Sequence, residues 1–131
     1  MNILKLLSNP KMLEMTTGGE LSTENIELSS ILLSDGPTVS LKFNHLSLPK
    51  HYPEKWKKKG CNATTFTISQ SVELDIKILK WKPRMICSLR LENSDEGILL
   101  SVYEKDDQVM SCISRLLTLE RIEGYTDERI Q

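Results

Sequence analysis

Long hydrophobic runs are missing from this chain: charged side chains interrupt every one, and no stretch approaches the ~18 consecutive apolar residues of a membrane-spanning helix. The opening residues, MNILKLLSNP, are apolar only as far as Leu7, and no small-residue cleavage site follows, so a secretory signal is not expected. The expectation is a soluble, cytoplasmic protein with no membrane partner. An excess of one charge is missing too. The 17 basic and 18 acidic residues leave a formal net charge of −1, so no global field pulls the chain towards nucleic acid or anionic lipid. Any electrostatic steering has to be local.

The residues that build chemical sites are equally sparse. Cys61, Cys87 and Cys112 are odd in number and far apart, with no CxxC spacing for zinc or disulfide exchange, and they read as buried reduced thiols. His45 and His51 stand six residues apart in a proline-containing segment, without the helical or hairpin spacing that brings metal ligands together. No GxGxxG, GxxxxGK[ST] or GxSxG occurs. Asp95-Glu96 and Asp106-Asp107 are adjacent carboxylates, but both pairs lie in turns with no base, nucleophile or oxyanion donor to name beside them. The chain therefore reads as a non-enzyme, with no cofactor, no metal and no small-molecule substrate.

What is present is mostly alternation. Asn9 in a capping position, Pro10 behind it and the Gly18-Gly19 stop predict a short helix that lies on a sheet through Met12 and Met15, with Leu4 and Leu7 leading in. From Glu24 the period becomes two: Ile26 and Leu28 share one face, and the phase break at Ser29-Ser30 predicts a bulge or a strand end buried on both faces. Ser34-Asp35-Gly36-Pro37 is a turn, and Val39, Leu41 and Phe43 alternate inward after it, which predicts a hairpin.

Further strands are expected at Thr64–Ile68, Leu74–Ile78, Met85–Leu91 and Ile98–Tyr103. A bulge near Ile78-Leu79-Lys80-Trp81 would turn Leu79 or Trp81 into the core, with Trp81 as a core support. Val109 to Ile122 fits a helix or a strand, with strand preferred over Leu116 to Ile122. Short strands without a crossover helix predict a mainly β fold at the α+β boundary, a single antiparallel sheet or sandwich of about six to seven strands with a short N-terminal helix. One domain is expected over residues 1–131, with a helical segment at 1–22, a β-rich core at 24–125 and a polar tail at 126–131.

The segment from His45 to Gly60 shows neither period and reads as a long surface loop. Lys50 to Lys59 holds five lysines interleaved with His51, Tyr52 and Trp56. Two readings are open: basic and aromatic residues together suit single-stranded nucleic acid, or the lysines solubilise the loop while Tyr52, Pro53 and Trp56 pin it to the domain. The narrow basic surface speaks against nucleic acid.

Three pieces, in this order and spacing, carry a resemblance: Ser34-Asp35-Gly36-Pro37-Thr38-Val39-Ser40-Leu41-Lys42-Phe43, Pro53-Glu54-Lys55-Trp56-Lys57-Lys58-Lys59-Gly60-Cys61-Asn62, and Leu74-Asp75-Ile76-Lys77-Ile78-Leu79-Lys80-Trp81. With Ile122-Glu123-Gly124-Tyr125 near the end, the chain resembles the immunity protein 50 family of bacterial polymorphic toxin systems. The resemblance implies an intracellular antidote that binds and blocks a cognate protein toxin. On that footing Tyr52, Trp56 and Lys57 are candidate partner contacts as aromatic and cationic anchors. Glu104, Asp106 and Asp107, with Glu120 and Glu123, are candidates for facing a basic toxin cleft. The alternative is a nucleic-acid-binding or regulatory adaptor acting through loop 50–59.

Overall fold

The computed structural model describes residues 3–72 and 75–130, without the side chain of Leu4. The Leu4 lead-in and the Leu74 start of the fourth expected strand therefore lie outside the described residues. A turn of 3-10 helix at Ile3–Lys5 leads to helix α1 (Pro10–Thr17), strands β1 (Ile26–Ser34) and β2 (Thr38–His45), and helix α2 (Glu54–Lys58). Five strands follow: β3 (Ala63–Val72), β4 (Lys77–Ile78), β5 (Ile86–Ser94), β6 (Gly97–Glu104) and β7 (Asp107–Tyr125). The fold is mainly β, as the alternation predicts.

All pairings are antiparallel, in the order β3-β2-β1-β5-β6-β7-β4, and β3 pairs with β7 as well, so the sheet returns on itself. β7 makes this closure possible. Over its 19 residues its first part, to Ser114, pairs with β6, and from Ser114 to Tyr125 it pairs with β3. Two seams are short: β1 meets β5 at Ile26↔Cys87 and Glu27↔Ile86, and β4 meets β7 at Lys77↔Ser111 and Ile78↔Met110.

Inward rows from every long strand fill the interior: Val39, Leu41 and Phe43 from β2, Phe66 and Ile68 from β3, Cys87, Leu89 and Leu91 from β5. Phe43 and Phe66 are register partners and stack with centroids 5.3 Å apart, an arrangement that adds to their area burial. The phase break in β1 is a bulge between Leu28 and Ser30.

Several expectations are corrected. α1 buries Leu13 and Thr17, whereas Met15 is 86 % exposed and Met12 only half-buried. Asn9 makes no side-chain cap. Its amide instead bonds the backbone of Leu119 on β7, with Nδ2 donating to the carbonyl at 2.8 Å and Oδ1 accepting from the N–H at 3.0 Å. Asn9 thus imitates a neighbouring strand and, with the Ser8 N–H on the Leu117 carbonyl, covers a β7 edge that β6 has left.

Trp81 is not a core support. It is 44 % exposed, Leu79 is 67 % exposed, and the Trp81 indole N–H donates to the Leu28 carbonyl at 2.9 Å. β4 pairs only at Lys77 and Ile78, so no ladder carries the phase through to Trp81. Val109 to Ile122 is strand throughout, and the segment from His45 to Gly60 contains helix α2. At the end of the chain, Arg129 forms a two-pronged ion pair, 2.8 Å to each oxygen, with the buried Glu27 of β1, and also pairs with Asp127 at 2.7 Å.

Candidate functional site

Pro53 holds an extended backbone (φ −61°, ψ 143°) and starts α2, which the positive φ of Gly60 (72°) ends. Five residues make little more than one turn, so one side chain points in and its neighbours point out. Trp56 points in and is 4 % exposed, while Lys55, Lys57, Lys58 and Lys59 lie outside. Its indole rests on Gly124 of β7, where a Cβ would lie 2.7 Å from Trp56 Cδ2. Asn62 fixes the same junction: its N–H donates to the Tyr125 carbonyl at 3.0 Å, and its side chain exchanges two hydrogen bonds with the Asp127 backbone at 3.0 and 2.7 Å.

Two separate sequence pieces, the Pro53 to Asn62 loop and Ile122 to Tyr125, thus become one structure. A groove of about 670 Å3 opens there between α1, α2 and β7, lined by Met12, Met15, Lys55, Trp56, Arg121 and Glu123 among others. Tyr52 stacks on Trp56 with centroids 6.3 Å apart and 12° between planes, and remains 36 % exposed.

Tyr52 and Trp56 therefore come together, with Trp56 as the buried support, and Lys57 is exposed on the same helix as Trp56. Of the acidic candidates, Glu120 and Glu123 line this groove with Trp56, whereas the other three do not. Glu104, Asp106 and Asp107 form the β6–β7 turn at the start of β7, whereas Trp56 sits near its other end. Asp106 and Asp107 are exposed. Glu104 is engaged within the chain, pairing with Lys80 at 2.5 Å and Lys82 at 2.8 Å. Those hydrogen bonds, Lys80 first, lower its pKa from 4.5 to about 2. Glu120 accepts from Ser69 at 2.7 Å, and Glu123 pairs loosely with Arg121 at 3.7 Å.

Sequence reasoning passed over a second basic group, Lys80, Lys82 and Arg84 in the link from β4 to β5. The signal was legible as cations at alternate positions around Trp81. Among the described residues, no three His, Cys, Asp or Glu side chains gather to hold a metal ion, and no helix is long and apolar enough to cross a membrane.

No curated protein and no solved structure matches the chain. A family described as Immunity protein 50 matches residues 9–125, which takes in α1, α2 and all seven strands. The chain belongs to the immunity protein 50 family.

Proposed function

We propose that this protein is an antidote that binds a toxin domain in a stoichiometric complex and blocks it, with no catalysis of its own. Family membership across 117 of 131 positions, residues 9–125, carries the reading. The surface around α2 supports it, because Tyr52 is a half-exposed aromatic held flat on a buried tryptophan. Such a rigid anchor has little side-chain entropy to lose on binding. Lys57, exposed on α2, adds a charge for orientation. Asp106 and Asp107 form a second candidate contact at the far end of β7, with Glu104 occupied by its lysines.

The exposed lysines of α2 favour one further reading, an adaptor for single-stranded nucleic acid. Stacking on bases needs open aromatic faces, and Trp56 is turned inward, which leaves Tyr52 as the aromatic on that surface. The antidote is the stronger reading.

Co-expression with the toxin domain encoded beside the gene tests it: protection should scale with antidote dose, and the purified pair should co-elute. Tyr52→Ala with Lys57→Glu should weaken a complex made through this surface by ~2 kcal/mol or more without altering the fold. Cell death at every dose, with the protein folded and abundant, would remove the antidote reading. Steeply salt-dependent binding to oligothymidylate would favour the adaptor.

A further inference from the structure

A second groove, of about 620 Å3, is lined by the residues before β1, the β4–β5 link, the first part of β5 and the β6–β7 turn, and is distinct from the surface around α2. Its lining includes the exposed Ile86 between the buried Met85 and Cys87, and its charged residues are Lys82, Arg84, Arg90 and Lys105 against Glu24 and Glu104. In a chain of net charge −1 this is a local excess of cations. Glu104 is taken up by Lys80 and Lys82, and Arg90 lies 4.2 Å over the Tyr103 ring. Arg84 and Lys105 make no ion pair with any described residue, and both are exposed.

The backbone singles out the same place. Among the described residues, three that are not glycine have positive φ: Asn25 (53°), Arg84 (58°) and Lys105 (57°), and all three line this groove. Asparagine tolerates that conformation, but a long cationic side chain is uncommon there. Arg84 follows Pro83 in a turn, and Lys105 stands in the two-residue link between Glu104 and Asp107. Turn chemistry favours glycine or asparagine at both positions. Two turns thus accept strain and place an unpaired cation on one rim, a pattern that goes with binding sites rather than with stability.

We infer that this groove is the seat of an acidic segment of a protein partner. The inference rests on the antidote reading and names the chemistry of the contact: carboxylates of the toxin meeting Arg84 and Lys105, with an apolar side chain over the half-exposed Ile86. Arg84 offers a planar guanidinium fork to a carboxylate. The complementary charges steer encounter and fix orientation. A nucleic-acid strand fits less well, since among the described residues no aromatic side chain lines the groove for a base to stack on and Glu24 repels phosphate.

The test uses the full chain and the double variant Arg84→Gly with Lys105→Gly, which removes both charges where the backbone prefers glycine. Its melting temperature should hold or rise, so lost binding cannot be attributed to unfolding. The probes are the toxin domain encoded beside the gene, a blocked oligo-aspartate peptide and oligothymidylate. The wild type should bind the toxin, and the variant should bind it about tenfold or more weakly. The peptide should shift the amide resonances of Arg84, Ile86, Arg90 and Lys105 in the wild type alone, with affinity falling as salt rises. Equal toxin binding by both proteins overturns the groove and leaves the antidote reading standing. Failure of the wild type to bind the toxin, with the peptide still seated in the groove, removes the antidote reading and supports the site. Silence from the peptide at those amides when the toxin is not bound, or tighter seating of oligothymidylate there, overturns the inference.

Discussion

Gly124 of β7 lies directly under the indole of Trp56, so close that a Cβ at position 124 would stand 2.7 Å from Cδ2 and 2.9 Å from Cε3 and Cγ. Helix α2, whose Trp56 supports the exposed Tyr52 ring, is thereby located by a contact that only glycine permits. Gly124→Ala should destabilise the protein by about 1–3 kcal/mol, because the ring has to move in a filled site. In a Trp56→Leu background the same change should cost less, since the two positions share one contact. Urea unfolding of the four proteins measures the coupling, and additive costs would mean that the contact is not what position 124 requires.

The two tryptophans should separate cleanly. Trp56→Ala removes a buried ring and should cost ~3–5 kcal/mol, whereas Trp81→Ala removes a half-exposed ring and one hydrogen bond and should cost about 1–2 kcal/mol. Fluorescence of single-tryptophan variants, made by replacing the other with Phe, should be quenched by acrylamide at Trp81 and resist it at Trp56. Equal quenching would contradict the arrangement.

Asn9 acts on β7 and not on its own helix. Asn9→Ser, a good helix cap in sequence terms, should still lose stability because serine cannot reach both backbone groups of Leu119. A cost of about 1–3 kcal/mol is expected, from leaving strand groups unpaired. Increased self-association should accompany it, since a β edge is uncovered. A neutral Asn9→Ser would restore the capping role.

Acid should weaken the fold through its held carboxylates. Glu104 is lowered from 4.5 to about 2 by Lys80 and then Lys82. The Asp127 carboxyl is also held below its ordinary range, by the side chain and then the backbone N–H of Arg129. A group whose folded pKa is depressed contributes stability that is complete above its unfolded pKa and is lost as pH falls through the folded one. The melting temperature should therefore fall below about pH 4.5 and continue falling towards about pH 2. Glu104→Gln should flatten part of that slope, and a variant with the wild-type slope would show that the lysine fork contributes nothing.

The three thiols are free, and burial divides them. Cys87, whose Sγ donates to the Ile26 carbonyl at 3.2 Å, is pushed up to about 12 by desolvation, and desolvation also raises Cys112. Cys61 is half-buried. An aromatic disulfide reagent in mild alkali should label Cys61 first and the other two only on unfolding. Rapid labelling of Cys87 in the folded protein would contradict its burial.

What this sequence determined by itself is local. Val39, Leu41 and Phe43 alternate around one backbone period, Gly36-Pro37 closes a hairpin before them, and the Ser29-Ser30 slip marks a bulge that is there. Each rests on neighbours within a few residues, so each can be read without a partner. Three features were decided only by tertiary structure. Met110, Ile113 and Leu117 match helical spacing, yet the segment is strand, because β7 crosses from β6 to β3 and its register slips against β3 opposite Gln70-Val72. Trp56 and Trp81 each follow a lysine, yet one is buried and the other half-exposed. That outcome was settled by Gly124, 68 residues from Trp56 in the chain, whose missing side chain leaves room for one ring. The groove lined by Asn25, Arg84 and Lys105 is likewise assembled from a bend and two turns far apart in the chain, and such an assembly leaves no period in the sequence to read.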